Sequence, residues 1–154
     1  MNASRLTAAA TGTLLALGLL AGAAHATTYN PPIRLAPSGV EYMSGGIGAD
    51  EEQLMETVSP RWPATFEFAV KDRQKADFAA DVRVSVRDLA SGATLLNGVK
   101  SSGPFMLTRL APGRYEVDAT LGGQTMHRTV VLDGARPVHE FFLWPAGTDT
   151  ASKG

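Results

Sequence analysis

The sequence predicts an all-β, antiparallel, seven-stranded β-sandwich with one short N-terminal helix. From residue 64 onward apolar and polar side chains alternate at period two, the signature of half-buried strands. The 16 glycines and 9 prolines fall between these short runs, where turns belong. The turns recur every ~8–12 residues, the spacing of a sandwich. A chain of 154 residues suffices for one such domain.

Residues 1–26 read as a cleavable export signal. Arg5 is the only charged side chain before Arg34. An uncharged stretch follows, densest in apolar residues at 14–20, and ends in Ala24, His25 and Ala26. Small residues at those two alanine positions are what a signal peptidase reads, which places cleavage after Ala26. Thr7, Thr11, Gly12, Thr13, Gly18 and Gly22 dilute the run, and no charged stop-transfer cluster follows it. The expectation is therefore a periplasmic or secreted protein with no stable membrane span after cleavage. The chain contains no Cys, which excludes a lipid-modified cysteine, a disulfide scaffold and thiolate metal sites. The twin-arginine pattern is absent, so export is expected to take the unfolded-chain route.

Residues 27–63 read as an extended leader with a short helix near 50–58. Val40 opens a short strand over 40–44, and Gly45, Gly46, Ile47 and Gly48 form a turn. Asp50 stands as the helix N-cap with Gln53 three positions on, a capping-box arrangement. Leu54, Met55 and Val58 make one apolar stripe, and Pro60 and Pro63 end the helix.

The sandwich is read at 64–144. In its first strand Phe66, Phe68 and Val70 face one way, with Thr65, Glu67 and Lys71 opposite. A charged connection over 71–77 leads to a strand with Val82, Val84 and Val86 inward. Asn97 and Gly98 are the strongest tight-turn pair in the chain. Strands follow over 105–110, 114–121, 124–132 and 138–144. The last carries Val138, Phe141, Phe142, Leu143 and Trp144 on both faces. Such a strand should be covered on both sides, with the helix or the leader over its outer face. Residues 145–154 read as a polar, disordered tail.

At Leu110, Ala111, Pro112, Gly113, Arg114, Tyr115, Glu116 and Val117 the chain resembles carboxypeptidase regulatory-like and Cna-B-like domains. The resemblance covers about 64–144 and implies a prealbumin-like or immunoglobulin-like sandwich. The block 42–51 is similar to that of small exported proteobacterial proteins carrying this domain. Physically the motif specifies a corner. Pro112 presets a turn dihedral, Gly113 supplies a conformation other residues avoid, and Tyr115 packs its ring inward with its hydroxyl near the turn.

Candidate chemistries are few. His127 and His139 lie on different strands, without a metallopeptidase spacing. The resemblance is to an accessory domain of metallocarboxypeptidases, and the C-terminal Ser152, Lys153 and Gly154 lack the ending of a transthyretin-like hydrolase. No G-x-S-x-G is present, and Ser44 has no local base. The glycine loop 45–48 before a helix suggests an anion cradle, but Asp50, Glu51 and Glu52 would repel an anion and no P-loop Lys follows. Asp50, Glu51, Glu52 and Glu56 do not alternate as a calcium loop requires. A net charge of −1 with scattered Lys and Arg argues against nucleic acid.

The sequence therefore points to a non-catalytic periplasmic interaction module without a cofactor. Its partner would be an envelope protein bound along a sheet edge or on the leader–helix face. The alternative is a carbohydrate or cell-wall binding module that stacks glycan on Trp62 and Trp144.

Overall fold

The computed structural model describes residues 30–73 and 75–149. The expected export signal and its cleavage site, His25 and the last five residues of the tail lie outside the described residues. Two sheets face each other. The first holds β1 (Arg34–Leu35), β2 (Glu41–Gly45), β7 (Phe105–Thr108), β3 (Ala64–Asp72) and β10 (Val138–Trp144) in that order, with β4 (Lys75–Phe78) paired to β3. The second holds β6 (Thr94–Lys100), β5 (Arg83–Asp88), β8 (Gly113–Leu121) and β9 (Gln124–Leu132). The helix α1 (Ala49–Val58) runs into a single 3-10 turn, Ser59–Arg61.

The main core fills the space between the sheets. Phe66, Phe68, Met106, Phe142 and Trp144 meet Val82, Val84, Val86, Tyr115, Val117 and Leu132. These are the inward members of the alternating runs, so the period-two pattern places them there directly. A smaller cluster lies outside the first sheet, where Met55 of α1 packs with Met43, Trp62, Phe105 and Leu107. The apolar stripe of the helix thus covers β2 and β7.

The structure departs from the expected sandwich in several places. The described residues form ten strands rather than seven, because the leader contributes β1 and β2 and the charged connection folds back as β4. The first sheet is mixed and not antiparallel, since β10 runs parallel to β3 with Phe142 opposite Phe68. Neither the helix nor any other element among the described residues covers the outer face of β10: Phe141 is 42 % exposed and Leu143 40 %. Asn97 and Gly98 do not turn the chain. They sit inside β6, where Val84 pairs with Val99 and Val86 with Leu96, so β6 carries one extra residue. Gly98 takes φ +59° there and donates its N–H to Ser85 Oγ at 2.8 Å, the geometry of a bulge. The tail is ordered at its start. Thr148 is 2 % exposed, and its Oγ donates to Pro145 O at 2.7 Å.

At the Pro-Gly corner the Tyr115 ring is buried and its hydroxyl donates to Ala111 O at 2.6 Å. Gly113 is not in a left-handed conformation. It is small because a Cβ there would stand 3.3 Å from the Tyr115 hydroxyl. Tyr115→Phe should lower stability by about 1 kcal/mol in urea denaturation, the worth of one such hydrogen bond. Burial, and then the Asp88 carboxylate, hold the Tyr115 hydroxyl above its ordinary pKa of 10.0. The folded state therefore keeps a proton that the unfolded chain releases. This contribution is complete below pH 10 and is lost as pH rises from there through the folded value.

Candidate functional site

The residues singled out from the sequence are not brought together. Trp144 is fully buried in the main core, and its indole N–H donates to Gln124 O at 3.1 Å. Trp62 belongs to the other cluster and is 4 % exposed. A glycan platform needs an open ring face. Trp144 has none, and the Arg109 guanidinium lies 4.2 Å over the Trp62 ring. The two tryptophans therefore do not form a stacking surface.

The glycine loop is occupied by its own chain. Gly48 is the N-cap of α1, and neither Asp50 nor any other side chain caps it. Glu51, in the first turn, instead reaches back and accepts the Gly46 N–H at 2.8 Å and the Ile47 N–H at 3.4 Å. A side-chain carboxylate thus fills the place an anion would take. Glu51→Ala should cost about 1 kcal/mol, the usual worth of a cap, read as a shift of the urea midpoint.

Ser44 is committed to structure. Its Oγ donates to Phe105 O at 2.9 Å and accepts the Ser102 N–H at 3.0 Å. His127 bonds the Asp118 carboxylate and His139 the Glu67 carboxylate, each at 2.6 Å, on different sheets. Both are cross-strand pairs, since Asp118 faces His127 in the β8–β9 ladder and Glu67 lies two residues along β3 from Thr65, the ladder partner of His139.

A different constellation stands at the end of the domain where α1 gives way to β3. A concavity of about 330 Å³ is walled by Pro60, Pro63, Pro112 and Pro137, with Leu110, Leu132 and Trp62 also lining it. Arg61, Arg109 and Arg136 line it, and no acidic residue does. Its rim is held by close packing. Asp133 Oδ1 accepts the N–H groups of Ala135 at 2.8 Å and Arg136 at 3.2 Å. These bonds hold the Asp133 carboxyl below the ordinary value of 3.8. Gly134, at φ +80°, lets this loop approach Pro112, where a Cβ would come within 2.8 Å of the ring.

On the other side of Trp62 lies a second groove of about 320 Å³. It is largely apolar, lined by Pro31, Ile33, Met43, Leu54 and Val58, and it shares Arg61, Trp62 and Arg109 with the first. Glu41 holds Arg109 through a 2.9 Å ion pair to Nε. The combination places an anchored aromatic ring with Arg61 and Arg109 between an apolar groove and a cationic hollow to which Arg136 adds a third guanidinium.

The fold and this end define a two-sheet β domain with a proline-walled cationic face. No protein-family model matches the chain, and no curated protein sequence matches it. Sequence reasoning found Trp62 and missed the arginines. Arg61, Arg109 and Arg136 stand far apart in the chain. The one local signal was an arginine directly beside a proline, as at Pro60–Arg61 and Arg136–Pro137.

Proposed function

We propose that the chain is an exported, non-catalytic interaction module of the bacterial envelope, built on a carboxypeptidase regulatory-like sandwich. Its partner docks on the leader–helix face around Trp62. The observation that carries this reading is the continuity of the two concavities through the shared Arg61, Trp62 and Arg109. Pre-formed hollows with an aromatic and arginine centre are what interface hot spots are made of. The buried Tyr115 and its bond to Ala111 support the family resemblance at the corner. The signal-like residues 1–26 support export. The separate carboxylate partners of His127 and His139, and the backbone bonds of Ser44, support a structural role for the side chains that would otherwise suggest catalysis.

The test is site-specific photo-cross-linking in living cells, with the reactive residue at position 61 or at the exposed position 131 of the opposite sheet. One recurring envelope protein captured from 61 and not from 131, by a chain that begins at Thr27 in the periplasmic fraction, is the expected result. Equal background from both positions would remove the interaction reading.

A further inference from the structure

We infer that the hollow lined by Arg61, Arg109 and Arg136 recognises an acidic segment of a partner polypeptide, in which a carboxylate side chain neighbours an apolar one. This rests on the interaction reading above and names the partner's chemistry.

Charge complementarity is the first support. Arg61 and Arg136 have no carboxylate partner among the described residues. Elsewhere on the surface Arg87, Arg128, Lys75 and Lys100 each hold one, whereas Arg34, Arg83 and Arg114 hold none among the described residues; what sets Arg61 and Arg136 apart is that both line the same hollow. Two exposed, unpaired guanidinium groups facing one hollow lined by no acidic residue repel each other, and a carboxylate placed between them relieves that repulsion. The planar fork of each matches a carboxylate with two parallel hydrogen bonds. Arg109 is pre-positioned, because Glu41 holds its Nε and Trp62 supports its plane. Its remaining donors are left for the ligand without further ordering.

Size and surroundings decide the class. A hollow of about 330 Å³ is at the small end of ligand pockets and suits one or two side chains. The adjoining apolar groove, with Leu54, Val58 and Ile33, takes a hydrophobic neighbour. A uronic-acid chain offers no apolar neighbour of that kind. An anionic lipid would leave its acyl chain largely wet in an open groove of about 320 Å³. A peptide with acidic and aliphatic residues side by side satisfies both hollows at once. The proline walls cost little to order, since their backbone is already fixed.

The experiment is a titration of the purified protein, in the form the cell produces, with an end-capped hexapeptide of alternating leucine and glutamate. The same peptide with glutamine, phosphatidylglycerol vesicles and trigalacturonate are titrated alongside. Nitrogen–proton spectra report the Trp62 indole and the arginine side chains directly. Binding of the glutamate peptide that shifts the Trp62 indole signal is expected, and the glutamine peptide should bind at least about tenfold more weakly. Arg61→Gln and Arg136→Gln should each weaken the glutamate peptide by about tenfold. Neither side chain makes an ion pair among the described residues, and the rest of the spectrum shows whether the fold is intact. Equal binding of the two peptides, shifts confined to other surfaces, or binding of only the vesicles or the sugar acid would overturn the inference. A partner captured from position 61 together with a silent peptide titration would overturn this chemistry alone and leave the interaction reading in place.

Discussion

Trp144→Ala should lower the unfolding free energy by about 3–5 kcal/mol, the usual cost of truncating a buried aromatic. Three contacts are lost together. The Trp144 ring stacks on Phe142 at 6.1 Å and leans on Phe68 at 6.3 Å. Its indole N–H is bonded to Gln124 O in the other sheet at 3.1 Å. That bond ties β10 to β9 across the sandwich, so truncation opens a cavity and also leaves a carbonyl without its donor. A small domain has only ~5–15 kcal/mol in total, so the variant should sit near its unfolding transition at ambient temperature. Urea denaturation with an unchanged slope is the measurement. Trp144→Phe, which keeps a ring but not the N–H, should recover most of the loss. A Trp144→Ala cost below about 1 kcal/mol would mean that the residue is not packed as described.

Gly103→Ala should be strongly destabilising for a single added methyl, at about 2–3 kcal/mol. A Cβ at Gly103 would overlap the carbonyl carbon and oxygen of Gly45. Both obstacles are backbone, so no side chain can swing aside. Gly45 cannot retreat easily, because Pro31 and the Glu51 carboxylate stand against it. The crowding also threatens the Ser102 and Ser44 bonds at 3.0 and 2.7 Å that join this loop to β2. Gly92→Ala is the control. Gly92 adopts φ +73° in open space, so alanine there meets only the intrinsic strain of about 1–2 kcal/mol. Comparable losses for the two variants in parallel melts would show that the contact with Gly45 does not matter.

What the sequence revealed followed from how local each signal was. The alternation of Val82, Val84 and Val86 against charged neighbours placed β5, and Tyr115, Val117 and Ala119 placed β8, because burial on one sheet face leaves a period of two. The helix was visible through Met55 and its neighbours. Its cap was not, because Asp50 looked like the N-cap while Glu51 satisfies the loop amides from inside the first turn. Strand β4 was hidden because the tight turn before it uses Arg73 at φ +47° rather than glycine or asparagine. The bulge at Gly98 carries the same residues as a hairpin turn, and only the ladder tells them apart. The arginine hollow was invisible because its three cations come from three unrelated connections. Only tertiary packing assembles them.

The parallel pairing of β3 with β10 has a bearing on when this protein can fold. Thr65 pairs on one side with Leu107 and on the other with His139, so one edge of an early strand must wait for the last. Phe142 and Trp144 also arrive with that final strand, and they fill the space beside Phe66 and Phe68. A chain emerging in order from the ribosome thus holds an incomplete core until its C-terminal segment is free. Pairings of such long reach close slowly, and one edge of β3 stays open meanwhile. That delay suits a polypeptide threaded through a membrane as an extended chain. Late closure of the sandwich is thus compatible with the export proposed from residues 1–26.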